Sequence, residues 1–142
     1  MRFAFERVHT VTDYYDGPIE GVADYRGAPH LYVAEFDDKA GDYSSVFRLT
    51  PISPAAFGFL MEGWKIWRRW EAAVHAGAAP QESHPALPED RLRHEELGRL
   101  AADELARPVG PTFRARGTFE VDPQSPALGA SLRALVVKWE PV

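Results

Sequence analysis

Two periodicities run through this 142-residue chain. Period two is clearest over residues 112–121. There Phe113, Ala115, Gly117, Phe119 and Val121 fall on one side, and Arg114, Arg116, Thr118 and Glu120 on the other. This is the pattern of a strand with one buried face. The same alternation predicts a first strand over residues 2–8 (Phe3 and Phe5 against Ala4 and Glu6) and a last one over 132–140, with Leu135, Val137 and Trp139 on one face. Between them, residues 19–25, 30–36 and 43–50 read as three further strands. They are joined by a turn at Arg26-Gly27-Ala28-Pro29 and a charged loop over residues 37–42, an antiparallel meander.

The other period, 3.6, governs residues 53–77. Ser53 is a natural N-cap with Pro54 at the first helical position, and Gly77 and Pro80 mark the stop. Leu60, Trp64, Trp67 and Val74 share a face that Phe59, Ile66 and Trp70 extend, so the apolar arc spans roughly 220°. A helix this apolar needs cover on two sides. Gly58 and Gly63 within it cost about 1 kcal/mol each against Ala, which predicts close approach of another backbone at both. A proline-rich connection, residues 78–88, leads to a second helix over 89–107. Its apolar stripe is thin (Leu97, Leu100, Ala101, Leu105), and its i,i+4 pairs are Arg91–Glu95, Glu95–Arg99 and Asp103–Arg107. The expected architecture is therefore one α+β domain over residues 1–142. A curved antiparallel sheet of five to six strands packs around one long Trp-rich helix, and the second helix serves as its cover.

Composition narrows the function classes. The chain has no cysteine, which excludes disulfides, zinc–thiolate sites and thiol nucleophiles. Its apolar runs are too short to span a membrane, and the charged, alternating N-terminus does not read as a signal peptide. A cytoplasmic location is expected. The negative charge lies in two stretches, residues 1–53 with nine acids against five bases and residues 81–110 with seven against four, and no basic run stands anywhere. Duplex binding rests on phosphate neutralisation, so nucleic acid is not an expected partner.

The chain carries no glycine-rich phosphate loop, no nucleophile elbow and no His-Glu-x-x-His. The best candidate cluster is His9, Asp13, Asp16, Asp24 and His30, which meander strands could gather for a divalent metal or for acid/base work. Turn chemistry explains each of those aspartates equally well and is the preferred reading, so no catalytic residue, metal or cofactor is assigned. Within residues 11–36 the stretches TDYYDGP and GVADYRGAPH resemble a group of bacterial hypothetical proteins sharing a Tyr-Asp-Gly-Pro turn and a Gly-x-Pro-His hairpin. The resemblance covers about a third of the chain, brings no activity with it, and implies that Tyr14, Tyr15, Asp16, Gly17, Pro18, Gly27, Pro29 and His30 belong together.

Two adjacent tyrosines in a turn-rich segment cannot both point inward, and an exposed aromatic with a polar tip suits recognition. The expected function is a non-enzymatic binding or protein-interaction role. It would use the tyrosine-rich acidic face, or the back of the tryptophan helix, toward a protein partner or a second copy as a homodimer. The candidate surface is Tyr14, Tyr15, Asp16, His30, Trp67 and Arg68. The alternative is a small enzyme or ligand-binding protein with a pocket between sheet and helix. In it His30 and a nearby aspartate would work as acid and base, and Arg68 or Arg114 would meet an anion.

Overall fold

The computed structural model describes residues 4–129 and 132–142. Six strands alternate with the expected turns: β1 (Phe5–Tyr14), β2 (Pro18–Tyr25), β3 (Ala28–Asp37), β4 (Asp42–Pro51), β5 (Phe113–Val121) and β6 (Leu135–Glu140). Between β4 and β5 lie α1 (Pro54–His75), two short 3₁₀ turns and α2 (Arg91–Leu105). The chain divides into two compact units. One is the barrel, from Met1–Ile52, Pro108–Leu128 and Arg133–Val142; the other is helical, from Ser53–Arg107 with Gly129–Leu132.

The sheet is not open. Each strand pairs antiparallel with the next, and β6 returns to β1, closing a six-stranded barrel in the order β1-β2-β3-β4-β5-β6. This corrects the expected curved sheet wrapped on the tryptophan helix, and β1 supplies the physical reason. Alternation ends the first strand near Val8, yet the polar stretch after it stays extended through Tyr14. Residues Phe5–Arg7 pair with β6, and from Val8 onward the strand pairs with β2. Three register shifts between Val8 and Tyr14 bend it from one partner to the other, and such bulges are how sheets curve enough to close. Arg2 and Phe3, which the alternation includes in that strand, and Ala130 and Ser131 of the β5–β6 connection lie outside the described residues.

Closure moves the core of the sheet into its bore. Tyr32, Phe47, Phe119 and Trp139 contribute one ring each from β3, β4, β5 and β6, and all six pairs of centroids lie 5.4–6.3 Å apart. Two glycines make room for them. Gly21 stands opposite Tyr32 and Gly117 opposite Trp139 in the ladders. A Cβ at Gly21 would lie 2.6 Å from the Tyr32 hydroxyl, and one at Gly117 would lie 2.5 Å from the Trp139 ring. The polar tips are satisfied: the Tyr32 hydroxyl donates to the Thr10 carbonyl at 2.8 Å and Trp139 Nε1 to the Asp24 carbonyl at 2.9 Å. Burial, with Glu20 adding to it, pushes the Tyr32 phenol well above its ordinary pKa.

In the helical unit α1 begins as expected. The Ser53 hydroxyl accepts from the Ala56 amide at 3.1 Å, with Pro54 in the first turn. Trp64, Ile66 and Trp70 are buried, and Ile66 packs with Ala86, Leu97 and Phe59. Arg93 of α2 forks onto Glu62 of α1 and also pairs with Glu96; Arg69 forks onto Asp90. Of the three i,i+4 pairs, Asp103–Arg107 forms at 3.4 Å, while Arg91 turns to the carbonyls of Ser83 and Ala86. The backbone approach expected at Gly58 and Gly63 is absent among the described residues: a Cβ at either meets open space.

Candidate functional site: the aromatic, acidic lip of the barrel

Strand direction alternates around the barrel, so the β1–β2, β3–β4 and β5–β6 connections leave from one end and the β2–β3 turn from the other. The β2–β3 end is closed tightly. Arg26 and Gly27 both have positive φ (52° and 78°), the two-residue turn whose twist matches a hairpin. The Glu6 carboxylate accepts from both of their amides, at 2.8 and 2.7 Å. Beside it the rings of Tyr25, His30 and Phe113 meet edge-on at 4.8–5.8 Å. His30 is 7% exposed, with Nδ1 2.7 Å from the Ala28 carbonyl. It is a packed end-plug of the bore.

The other end is different. The Tyr15-Asp16-Gly17 turn places Asp16 at φ 54°, a conformation Asp tolerates, and leaves both tyrosines out in solvent. In the β3–β4 hairpin the Asp37 carboxylate accepts from the Lys39 and Ala40 amides (3.0 and 3.3 Å), and Gly41 turns back with φ 68°. Phe36 and Tyr43 face each other in the last rungs of this ladder, rings edge-on at 5.2 Å. Tyr14, Tyr15, Phe36 and Tyr43 are 56, 68, 53 and 40% exposed, and Val121 of β5 joins them. After β5, Asp122 accepts from Ser125 and from the Gln124 amide, which hold its carboxyl below the ordinary range.

Charge follows the same geography. The lip segments, residues 13–18, 36–43 and 119–123, carry Asp13 and Asp16, Asp37, Asp38 and Asp42, and Glu120 and Asp122. The base among them is Lys39, and Arg133 stands at the far end of the β5–β6 connection. An open cleft of about 420 Å³ borders the β3–β4 hairpin, lined by Glu35, Phe36, Asp37, Asp38, Lys39, Ser44 and Arg114. On its upper wall Arg114 forks onto Glu35 at 2.7 and 2.9 Å and, with Arg48 adding its charge, holds that carboxyl below its ordinary range.

The six residues singled out from sequence therefore do not form one constellation. Tyr14, Tyr15 and Asp16 stand on the lip, and His30 plugs the opposite end, a full length of β2 and β3 away. Trp67 and Arg68 belong to the helical unit, where Trp67 stacks on Trp64 at 4.9 Å and Arg68 is exposed. In the His/Asp cluster, His9 Nε2 meets Asp24 Oδ1 at 2.9 Å, whereas Asp13 and Asp16 are exposed at the lip. Among the described residues no three of His, Asp and Glu are grouped to hold a metal ion.

Sequence reasoning missed Phe36 and Tyr43. Both fall in phase with the buried alternation of their strands, Phe36 with Tyr32 and Ala34, Tyr43 with Phe47 and Leu49. Being last in phase, they lie beyond the packed rings at the mouth. Their position flanking the charged loop was the available signal. No family model, no curated protein and no solved structure matches this chain. No helix among the described residues is long and apolar enough to cross a membrane.

Proposed function

We propose that this protein is a non-enzymatic binding protein whose barrel lip holds a basic protein partner. The observation that carries the reading is the contrast between bore and mouth. With the sheet closed on itself, its concave side is the bore, and that space holds four mutually packed rings tight enough to exclude a methyl group at Gly21 or Gly117. Among the described residues Tyr14, Tyr15, Phe36 and Tyr43 are displayed outward at one end, amid seven carboxylates with Lys39 and Arg133, while Phe5 at the other end of β1 lies under Lys138.

Exposed Tyr and Phe offer large contact area at low conformational cost, and their faces attract cations. The surrounding carboxylates add long-range steering toward a positive surface and reject negative ones. A partner presenting Lys and Arg among apolar side chains fits both properties.

The test is affinity for a lysine- and arginine-rich peptide, measured by calorimetry at two salt concentrations. Tyr15→Ala and Phe36→Ala are each expected to weaken binding about tenfold, the 1.4 kcal/mol of an aromatic anchor. Doubling the salt weakens it further through the charges. An affinity that follows salt but ignores both aromatic substitutions would reduce the lip to an unspecific acidic surface.

A further inference from the structure

The outer face of β4 and β5 carries an arrangement the lip does not explain. Arg48 and Arg114 are register partners, directly opposite on neighbouring strands, and like charges so placed repel. Arg116 lies two residues beyond Arg114 on the same face, about 6.6 Å along the strand. Two carboxylates border this group: Glu140 of β6, the register partner of Arg116, which pairs with Lys138 at 3.8 Å, and Glu35 of β3. Glu35 takes the Arg114 fork in full and stands 3.7 Å from Arg48 Nε. Arg116 meets a neutral oxygen instead, the Ser45 hydroxyl, at 2.9 Å. Three guanidinium groups and the Lys138 ammonium against Glu35 and Glu140 leave a local excess of positive charge in a chain whose net charge is −5. The Arg48 and Arg114 side chains are 69 and 56% exposed.

Guanidinium forks match the oxygens of phosphate and carboxylate groups. The diagonal from Arg48 to Arg116 spans about 7–8 Å between backbones, close enough for both side chains to converge on one tetrahedral anion. The size of the anion is limited by what lies next to it. Asp37 and Asp38 follow Glu35 at the lip, so an extended polyanion laid along this face would run into carboxylates within about two strand residues, roughly 7 Å. A compact anion reaches Arg48 and Arg116 without extending to the lip aspartates.

We propose that Arg48, Arg114 and Arg116 form a site for one compact oxyanion of the phosphate-monoester class. Arg48 and Arg116 supply the N–H groups left over from Glu35 and Ser45, and Ser45 orients Arg116. Glu35 is the resident counter-ion that keeps Arg114 and Arg48 side by side when the site is empty of ligand. None of the three arginines belongs to the lip segments that hold the basic partner, although Arg114 lines the cleft that borders them.

Inorganic phosphate and phenyl phosphate are titrated calorimetrically into the full chain, with sodium chloride at matched ionic strength as control. Saturable binding absent from the chloride control is expected. Arg48→Gln and Arg116→Gln should each weaken it about tenfold, since a charge-assisted hydrogen bond is lost. Arg116→Lys, which keeps charge without the fork, should restore only part of it. Glu35→Gln should tighten binding by releasing Arg114, a gain that a merely structural role for Glu35 would not produce. Phenyl phosphate binding more tightly than phosphate indicates an esterified ligand reaching the Phe36 wall of the cleft; equal affinities indicate the free ion. A heat signal matched by chloride, or one that persists unchanged in the Arg48→Gln, Arg116→Gln double variant, overturns the site. Circular dichroism of each variant checks that the barrel is intact.

Discussion

Glycine occupies opposite roles in the two units, and substitution distinguishes them. At Gly21 a methyl would collide with the Thr10 carbonyl and the Tyr32 hydroxyl, neither able to retreat from a filled bore. Gly21→Ala is expected to destabilise by about 1–3 kcal/mol, the usual cost of overpacking. At Gly58 and Gly63 the same methyl enters open space on a helix, so Ala there should stabilise by about 0.8–1 kcal/mol each. Urea denaturation of the three variants reads the contrast. Both sets are glycines in regular elements, and only the cross-strand neighbour separates them. Sequence reading anticipated backbone contact at the helical pair and said nothing of Gly21, because ladder register is invisible before the strands are paired.

Tyr32 makes stability depend on pH at the alkaline end. Its folded pKa is raised above the unfolded value, so its contribution to stability is complete below about pH 10, the ordinary tyrosine pKa, and is lost as pH rises beyond it. The unfolded chain releases the proton first and is favoured. The unfolding midpoint should fall steeply above that pH, and Tyr32→Phe should flatten the fall while lowering stability at neutral pH through loss of the Thr10 hydrogen bond.

Among the elements, α1 was legible almost to the residue. A serine cap, a proline behind it and a glycine after it leave little freedom about where a helix starts and stops. Ser53→Ala should cost about 1 kcal/mol, measurable as a lower midpoint in thermal unfolding. The hydroxyl also reaches Glu104 of α2 at 3.1 Å, so Ser53→Asp, which caps equally well but sets a carboxylate against Glu104, should rescue only in part. The strands were legible by alternation wherever one face met the bore: Tyr32 and Ala34, Phe47 and Leu49, Ala115 and Gly117, Val137 and Trp139. Alternation failed in β1. Bulges break the period there, and Thr10, a polar residue, is buried because its hydroxyl accepts the Val22 amide at 2.9 Å. With Val8, Thr10 and Val11 all buried and bulges between them, the element offers no period-two pattern to read.

At the scale of the whole molecule, the difference between an open sheet and a barrel turned on three residue pairs, Phe5–Arg7 against Val136–Lys138. Those pairs join strands from the two ends of the chain, and no local signal announces such a contact. Closure then determines what the surface can do. It removes free sheet edges and gives the concave face to the aromatic rings. It also collects every second connection, with its turn aspartates, at a single mouth. The tyrosine pair and its acidic neighbours were visible in the sequence; that they share this mouth with Phe36 and Tyr43, and not with His30, follows from strand direction alone.

That mouth is best interrogated by amide chemical-shift mapping. The ¹⁵N-labelled chain is titrated with a lysine- and arginine-rich peptide, and the shifts of every backbone amide are followed. Saturable changes confined to residues 13–18, 36–43 and 119–123, with the His30 and Tyr25 amides unmoved, are the predicted result. Changes spread evenly over the acidic residues of both units, or centred on the helices, would contradict the lip as the binding surface.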